Sequence, residues 1–281
     1  MSRRNDRGIA LISALWGSAI LAVIALSVLQ LTRADARVTR GRVDTVALNA
    51  AADGIINLAI LTLLDPGATQ PPVDGTPVAM TFAGHEAQVS VQDETGKIDV
   101  NMASENTLAQ VLASVGAEAE AARRIAAAIV TWRQPASVYR RGTGLAEEYR
   151  ATGATYEPRH SLFQSVEELQ LVLGMPPDLY RRAAPLLTVY SQTAYIEPSL
   201  ASVPVLAVFR NQSQTADAML RRREEEAAGS RPRQPSYGVA LGHAFTITAD
   251  LRGADGARVR RQAVVRLTAR PQSPLLVYRW N

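Results

Sequence analysis

Three acidic side chains in the first half of the chain have the chemistry to bind a hard cation. Asp93, Glu94 and Asp99 lie within seven positions of one another, and calcium is bound through several carboxylate and carbonyl oxygens. The same spacing is also typical of a solvated turn followed by a helix cap. These residues are therefore weak candidates for a calcium site, with the ordinary turn as the alternative.

Other side chains that carry out chemistry are scarce. His85, His160 and His243 are isolated in the sequence, and none has a partner at metal-ligand spacing. The chain contains no cysteine, which excludes disulfides, thiolate metal sites and cysteine nucleophiles. It also lacks a P-loop, a GxSxG motif and a GxGxxG motif. The sequence therefore predicts a protein that is not an enzyme and that needs no cofactor.

The amino-acid composition is typical of a folded protein with a modest net charge. Hydrophobic residues make up 47% of the 281 positions, enough for a real core, and the formal net charge is +4. Basic residues are not clustered as they are on a nucleic-acid-binding surface. We therefore expect no nucleic acid among the partners.

An uncharged run at the N-terminus predicts a membrane helix. Residues 9–31 are 23 positions without a charge, and about 20 apolar residues cross a bilayer at 1.5 Å per residue. Arg3, Arg4 and Arg7 precede the run, and positive residues stay on the cytoplasmic side. We expect a single-pass helix with the rest of the chain outside. A secretory signal peptide cut after Ala36 and an ordinary uncut anchor are the alternatives.

The helical pattern continues beyond the predicted span. No proline appears before Pro66, so one helix is predicted over residues 9–64, about 80 Å long at 1.5 Å per residue. Its second half is amphipathic. The stripe that we predict to lie on a soluble domain consists of Val43, Val46, Ala47, Ala50, Gly54, Leu58 and Leu61.

Strand patterns flank a long helical region, which predicts an α+β fold. Alternating residues at 78–82 and 87–92 indicate a β-hairpin, and helical spacing follows from Asn101 to Tyr190. Residues 134–160 are predicted as a loop, and residues 210–236 as a frayed helix followed by a loop. The predicted segments are a leader (1–8), the long helix (9–64), a linker with the first hairpin (65–99), an α-helical insertion (100–236) and C-terminal strands (237–281).

A weak internal repeat lies inside the helical region. Ile98–Val111 aligns with Ile196–Phe209 at five identities, and such units resemble helix-hairpin-helix or SAM-like folds. DNA-binding hairpins hold phosphate with free backbone N–H groups. Here the two candidate turns carry Glu118 in one and Pro176 and Pro177 in the other, which disfavours phosphate binding. A membrane-tethered nucleic-acid binder of the competence type remains the alternative function.

The N-terminal residues resemble those of type IV pilin-like proteins. Arg7-Gly8-Ile9 is similar to the junction that prepilin peptidase cuts, after which it methylates the new N-terminus. The resemblance implies cleavage between Gly8 and Ile9 and methylation of Ile9. Most members have a glutamate five residues into the mature chain, where this sequence has Ser13.

Beyond the N-terminus, the chain resembles the type II secretion pseudopilin K family. That family also omits the glutamate. The similarity extends over Asp93–Ser104, Trp132-Arg133, Ser165–Met175, Leu187–Tyr190 and Ala263–Thr268. It implies a pilin-like fold with a small antiparallel sheet and a large helical insertion. It further implies a subunit of the bacterial inner membrane with a periplasmic C-terminal domain. The expected partners are prepilin peptidase and other minor pseudopilins, met along the amphipathic helix at the tip of the secretion pseudopilus.

Overall fold

The computed structural model describes residues 6–65, 67–135, 145–210, 213–229, 239–253, 256–270 and 272–281. In the first helix, side chains are described for residues 13–27 and from Thr45 onward. The arginines at positions 3 and 4, Pro66 and parts of the predicted loops lie outside the described residues. The helices are α1 (Asp6–Leu64), α2 (Glu105–Ser114), α3 (Ala119–Arg133), α4 (Leu145–Ala151), α5 (Pro177–Ala183), α6 (Val203–Val208) and α7 (Gln214–Ala227).

The strands form one larger and one very small sheet. Their bounds are β1 (Asp74–Phe82), β2 (His85–Asp93), β3 (Ile98–Asp99), β4 (Leu187–Thr188), β5 (Ala244–Arg252), β6 (Arg258–Leu267) and β7 (Leu275–Trp280). The larger sheet has the order β1-β2-β5-β6-β7, and every neighbouring pair in it is antiparallel. The mixed helix and antiparallel-sheet class predicted from the sequence is therefore confirmed.

The first hairpin forms where the alternating pattern predicts it, but its strands are longer. Phe82 pairs with His85 across a two-residue turn, and both Ala83 and Gly84 have positive φ. Two positive φ values match the right-handed twist of the flanking strands. Residues 74–77, predicted as linker, are the start of β1.

The long helix packs on the sheet with a different face from the one predicted. Val46 and Leu61, two members of the predicted stripe, are 68% and 62% exposed. The helix is apolar around most of its circumference in this half, and the face that carries the isoleucines fits the sheet. The residues of α1 that are buried in the sheet core are Leu48, Ala51, Ala52, Ile55, Ile56, Ala59, Ile60 and Leu63.

One face of the sheet supplies the other half of this core. Alternate residues of the central strands point at α1, as the period of two along a strand requires. Their side chains are fully buried, and they include Val89, Val91, Phe245, Ile247, Ala249, Ala263 and Val265.

A second core lies among the helices between β2 and β5. The α2–α3 hairpin contributes Leu108, Leu112, Ile125 and Ile129. The parallel bridge of β3 with β4 joins the start of this region to the segment that follows α5. The sequence did not predict it because two-residue strands have no detectable period.

The predicted loop at 134–160 is wrong in part, because α4 lies within it. Tyr149 of α4 is 2% exposed, and its hydroxyl accepts a hydrogen bond from the Leu173 N–H at 3.0 Å. Its ring centroid lies 6.3 Å from that of Trp132. The aromatic contact and the buried hydroxyl of Tyr149 hold this short helix against the core. The residues around Tyr149 are mostly polar, and for this reason the sequence predicted a loop.

The internal repeat has a structural counterpart at its serines. Ser104 is the N-cap of α2, and its aligned partner Ser202 is the N-cap of α6. The Ser104 hydroxyl accepts a hydrogen bond from the Thr107 N–H at 3.1 Å. The two copies therefore both place a small polar residue at a helix start.

Candidate functional site

Asp93 is the first of the three acidic residues that are weak calcium candidates, and it lies at the end of β2. One carboxylate oxygen accepts hydrogen bonds from the N–H and hydroxyl of Thr95, at 2.9 and 2.7 Å. The other is 2.8 Å from Nδ1 of His243. The side chain is fully buried, so it caps the turn that leaves the sheet and contacts the start of β5.

Glu94 follows and has different partners. Its Oε1 lies 2.7 Å from Nζ of Lys97 and accepts a hydrogen bond from the Thr246 hydroxyl at 2.6 Å. Because Glu94 is 1% exposed, the ammonium and the hydroxyl compensate for a charge that would be costly to bury alone.

Asp99 is buried at the small parallel sheet. It accepts hydrogen bonds from the Asn101 N–H at 2.8 Å, from the Ser191 hydroxyl at 3.0 Å and from the Gln192 N–H at 2.8 Å. It thereby ties the start of the helical region to the segment that follows β4.

These three carboxylates do not converge on one point. Within the described part of the chain, no group of three or more His, Cys, Asp or Glu side chains is arranged to hold a metal ion. Their hydrogen bonds are instead those of turns and of contacts between the sheet and the helices. Calcium binding would require these carboxylates to exchange protein donors for the ion, so the three residues stay weak candidates.

A buried ion pair joins the same two parts of the fold, and the sequence did not reveal it. Nη1 of Arg223, on α7, lies 2.8 Å from the Asp74 carboxylate, with side chains 12% and 0% exposed. The Arg223 guanidinium also donates to the Ser199 carbonyl at 3.2 Å. Arg223 belongs to an RRREEE run that is typical of a solvated helix, and its partner is 149 positions away. No local pattern could have identified it.

A second polar contact holds α1 against the sheet. Asp53 lies on α1 and faces Arg261 of β6 and the indole of Trp280 on β7, whose Nε1 donates to it at 2.9 Å. The Arg261 hydrogen bonds hold the pKa of the Asp53 carboxyl below its ordinary value, against a smaller opposing effect of burial. Asp53 therefore marks the sheet-facing side of the helix.

The predicted processing residues all lie in α1. Gly8 and Ile9 are in its first turns, and the helix begins at Asp6, ahead of the predicted cleavage point. Ser13 is exposed on the same helix. The region Ser13–Ser27 is apolar, and Trp16 and Leu21 in it are 66% and 67% exposed.

Within the residues whose side chains are described, one segment, Thr45–Leu64, is long and apolar enough to cross a membrane. The predicted span, residues 9–31, is described only over its apolar part Ser13–Ser27. The mean hydropathy of Thr45–Leu64 is 1.7, and 44% of its most apolar window is buried in the protein. Part of its apolar surface is therefore buried in the core against the sheet. The remainder forms an exposed apolar stripe, which consists of Val46, Ala47, Ala50 and Leu61.

The two turns considered for phosphate binding lack the free N–H donors of a phosphate-binding hairpin, for different reasons. Glu118 Oε2 accepts hydrogen bonds from the N–H groups of Glu120 and Ala121, both at 3.0 Å. A carboxylate thus lies where a phosphate would bind, and these N–H groups lower the pKa of Glu118. The second turn has Pro176 as the N-cap of α5, and proline has no N–H to donate.

Comparisons with known proteins agree with the resemblance found in the sequence. Residues 85–192 match the family model of the type II secretion system (T2SS), protein K. No curated protein matches the sequence significantly. Among solved structures, the chain is similar to one from the crystal structure of the GspK-GspI-GspJ complex of the enterotoxigenic Escherichia coli type 2 secretion system. The identity is 15% and the TM-score 0.55, over 87% of this chain and 98% of that one.

The matched residues run from β2 to just beyond β4 and include α2, α3 and the buried acidic residues. The structural similarity extends the agreement in fold to most of the chain. Together with the sequence motifs, these matches support the resemblance: residues 85–192 match the protein K family of the type II secretion system, and the similarity in fold covers 87% of the chain.

Proposed function

We propose that this protein is a minor pseudopilin that assembles with other minor pseudopilins at the tip of a type II secretion pseudopilus. The observation that carries the proposal is a long helix with two apolar faces in its second half. One face is buried on the sheet, and the other is the exposed apolar stripe around Val46 and Leu61. A helix with a remaining apolar face after folding is suited to pack against further helices.

The partners follow from the same stripe. The similar solved chain comes from a complex of GspK with GspI and GspJ, and we infer that this protein likewise meets two other minor pseudopilins. The stripe would pack against their long helices. The role is one of assembly, with no catalytic step assigned to any residue.

Membrane anchoring and processing complete the proposal. Residues 9–31 would cross the inner membrane and leave the sheet and the helical region in the periplasm. Cleavage after Gly8 would release the leader, and the new N-terminus at Ile9 would then be methylated. The serine at position 13, where most pilin-like proteins have a glutamate, would suit a subunit with none above it.

Single-cysteine crosslinking tests the assembly surface, since the natural chain has no cysteine. Val46→Cys and Leu61→Cys lie in the exposed stripe, and Arg123→Cys on α3 is a matched control at a side chain 68% exposed. We expect crosslinks from the stripe to cysteines on the long helices of the other minor pseudopilins in membranes, and none from Arg123→Cys. Crosslinks from the control alone would contradict the proposal.

The nucleic-acid alternative makes an opposite prediction. A phosphate-binding protein would retard duplex DNA, and the retardation would fall steeply with salt. With Glu118 capping α3, we expect no salt-dependent retardation by the full-length protein.

A further inference from the structure

A cavity in the helical region is separate from both the acidic residues and the stripe on α1. Its volume is about 510 Å³, within the usual range for ligand sites. It lies between the first turn of α2, the end of α3, the segment 194–198, α6 and the first turn of α7. Its apolar wall consists of Met102, Ala194, Ile196, Pro198, Leu206 and Phe209.

Arg133, the last residue of α3, adds a positive charge to this wall. Its guanidinium is half-buried and donates to two backbone carbonyls, those of Val100 and Ala103, the latter at 2.6 Å. Arginine has five N–H donors, so these contacts leave others available. Within the described residues, no carboxylate forms a salt bridge with it.

The charge of Arg133 is compensated only in part. Burial lowers its pKa, and the opposing effect of Asp99 is the smaller of the two. The Asp99 oxygens are themselves occupied by the donors described above, including Ser191 and Gln192. A half-buried guanidinium in this position is stabilised by an incoming carboxylate, which an arginine can bind through two parallel hydrogen bonds.

The mouth of the cavity has the composition of a protein-binding surface. Tyr195 is 86% exposed and Met102 is 45% exposed, and both line the cavity. Tyrosine, methionine and arginine are enriched at protein interfaces relative to the rest of a protein surface. An open apolar cavity with these residues at its mouth fits side chains inserted from another chain better than it fits an enclosed lipid.

We propose that this cavity binds a short extended peptide segment of another protein, in which an acidic side chain pairs with Arg133 and adjacent apolar side chains fill the cavity. Tyr195 covers the segment from the solvent side. The proposal is independent of the place of the protein in a pseudopilus, since it uses none of the residues of the stripe on α1.

The test uses the full-length protein in nanodiscs, where no free detergent competes for an apolar cavity. The probes are two peptides of equal size, acetyl-Leu-Glu-Phe-amide and acetyl-Leu-Gln-Phe-amide. Methyl NMR of Met102 reports binding, and the chain has only five methionines. We expect the Met102 signal to shift with the glutamate peptide and its affinity to exceed that of the glutamine peptide at least tenfold.

Two variants separate charge from shape. Arg133→Gln should bring the two peptides to equal, weak affinity, whereas Arg133→Lys should keep part of the preference. Because Arg133 also binds backbone carbonyls, its removal can unfold the region. Ala194→Trp is therefore the second variant: this exposed residue lines the cavity, and the indole should block the mouth and abolish binding in a folded protein.

Three results would overturn the proposal. They are equal affinity for the two peptides in the natural protein, no Met102 shift at peptide concentrations of about 5 mM, and binding that survives Ala194→Trp. Hexanoate serves as a further probe. A Met102 shift with hexanoate but not with the glutamate peptide would show that the cavity binds a small carboxylate, and it would refute the proposal of peptide binding.

Discussion

Asp53 of α1 receives two parallel hydrogen bonds from Arg261 of β6, from Nε at 3.1 Å and from Nη2 at 2.9 Å. Paired bonds of this kind fix orientation as well as distance. They set the rotation of the long helix about its axis, since only one face of α1 can carry the contact. That rotation decides which apolar residues enter the core and which remain outside.

Loss of this contact should destabilise the packing of α1 on the sheet. We expect Asp53→Asn to lower the free energy of unfolding by about 1–2 kcal/mol, a value reduced for partial exposure of both side chains. Thermal unfolding of the full-length protein in nanodiscs, followed by circular dichroism, measures it. Asp250→Asn is the control, because the Asp250–Arg260 pair is mostly exposed at 3.7 Å and should change stability little.

The contact also predicts a dependence on pH. The pKa of Asp53 is lowered in the folded protein, so its contribution is fully present above the unfolded value of about 3.9 and is lost as pH falls through the folded value. The difference in stability between the natural protein and Asp53→Asn should be constant above about pH 5 and should shrink below about pH 4. A difference that grew on acidification would contradict the assigned direction.

Removal of the Arg223 guanidinium should be more damaging. Arg223→Ala removes the guanidinium that pairs with the buried Asp74 carboxylate, and breaking a buried ion pair typically costs about 3–5 kcal/mol. Arg221→Ala is the matched control two positions away, where the side chain is 66% exposed and pairs with Asp217. We expect the control to change stability by less than about 1 kcal/mol. Similar losses in both variants would show that the buried pair has no special role.

Gly54 and Phe82 should show strong coupling. A Cβ built at Gly54 would lie 2.3 Å from the Phe82 ring, so the ring packs directly on the glycine. Gly54→Ala should destabilise the protein by about 1 kcal/mol, because the displaced ring loses more than the gain in helix propensity. In a Phe82→Ala background the same change should stabilise by up to about 1 kcal/mol. Thermal unfolding of the natural protein, the two single variants and the double variant measures this double-mutant cycle. Additive changes in stability would contradict a direct contact between Gly54 and Phe82.

Processing should begin the mature chain at Ile9. We expect N-terminal sequencing of the membrane-extracted protein to start there, and replacement of Gly8 by a bulky residue such as Leu to prevent cleavage, because an unbranched residue lets the backbone enter a peptidase site. Gly17→Leu is a control within the same helix, at a glycine with open space around it. A mature chain starting at Arg37 would show cleavage by an ordinary signal peptidase.

Ser13→Glu tests the proposed tip position. A carboxylate without a cationic partner in lipid costs about 2.5–3.5 kcal/mol on insertion scales. We therefore expect the variant to be neutral to harmful for secretion in a strain that lacks the natural copy, with its level checked by blot. Better secretion than the natural protein, with crosslinks to subunits both above and below, would place the protein inside the filament.

Local patterns were sufficient for much of this fold. The first hairpin and the strands within residues 237–281 follow from alternation and turn residues, which are properties of neighbouring positions. The absence of cysteine and of catalytic motifs, the uncharged run after Gly8 and the family resemblance were also available from the sequence.

The tertiary structure decided the rest. The second half of α1 is apolar on several sides, and hydrophobic periodicity alone predicted that the stripe of Val46 and Leu61 would pack on the sheet. In the structure the opposite face packs there, because of the Asp53–Arg261 contact and the fit of Ile55 and Ile56. The Asp74–Arg223 pair and the cavity beside Arg133 join segments far apart in the chain. Such contacts depend on how elements pack, and no spacing within one element encodes which distant residue will meet it.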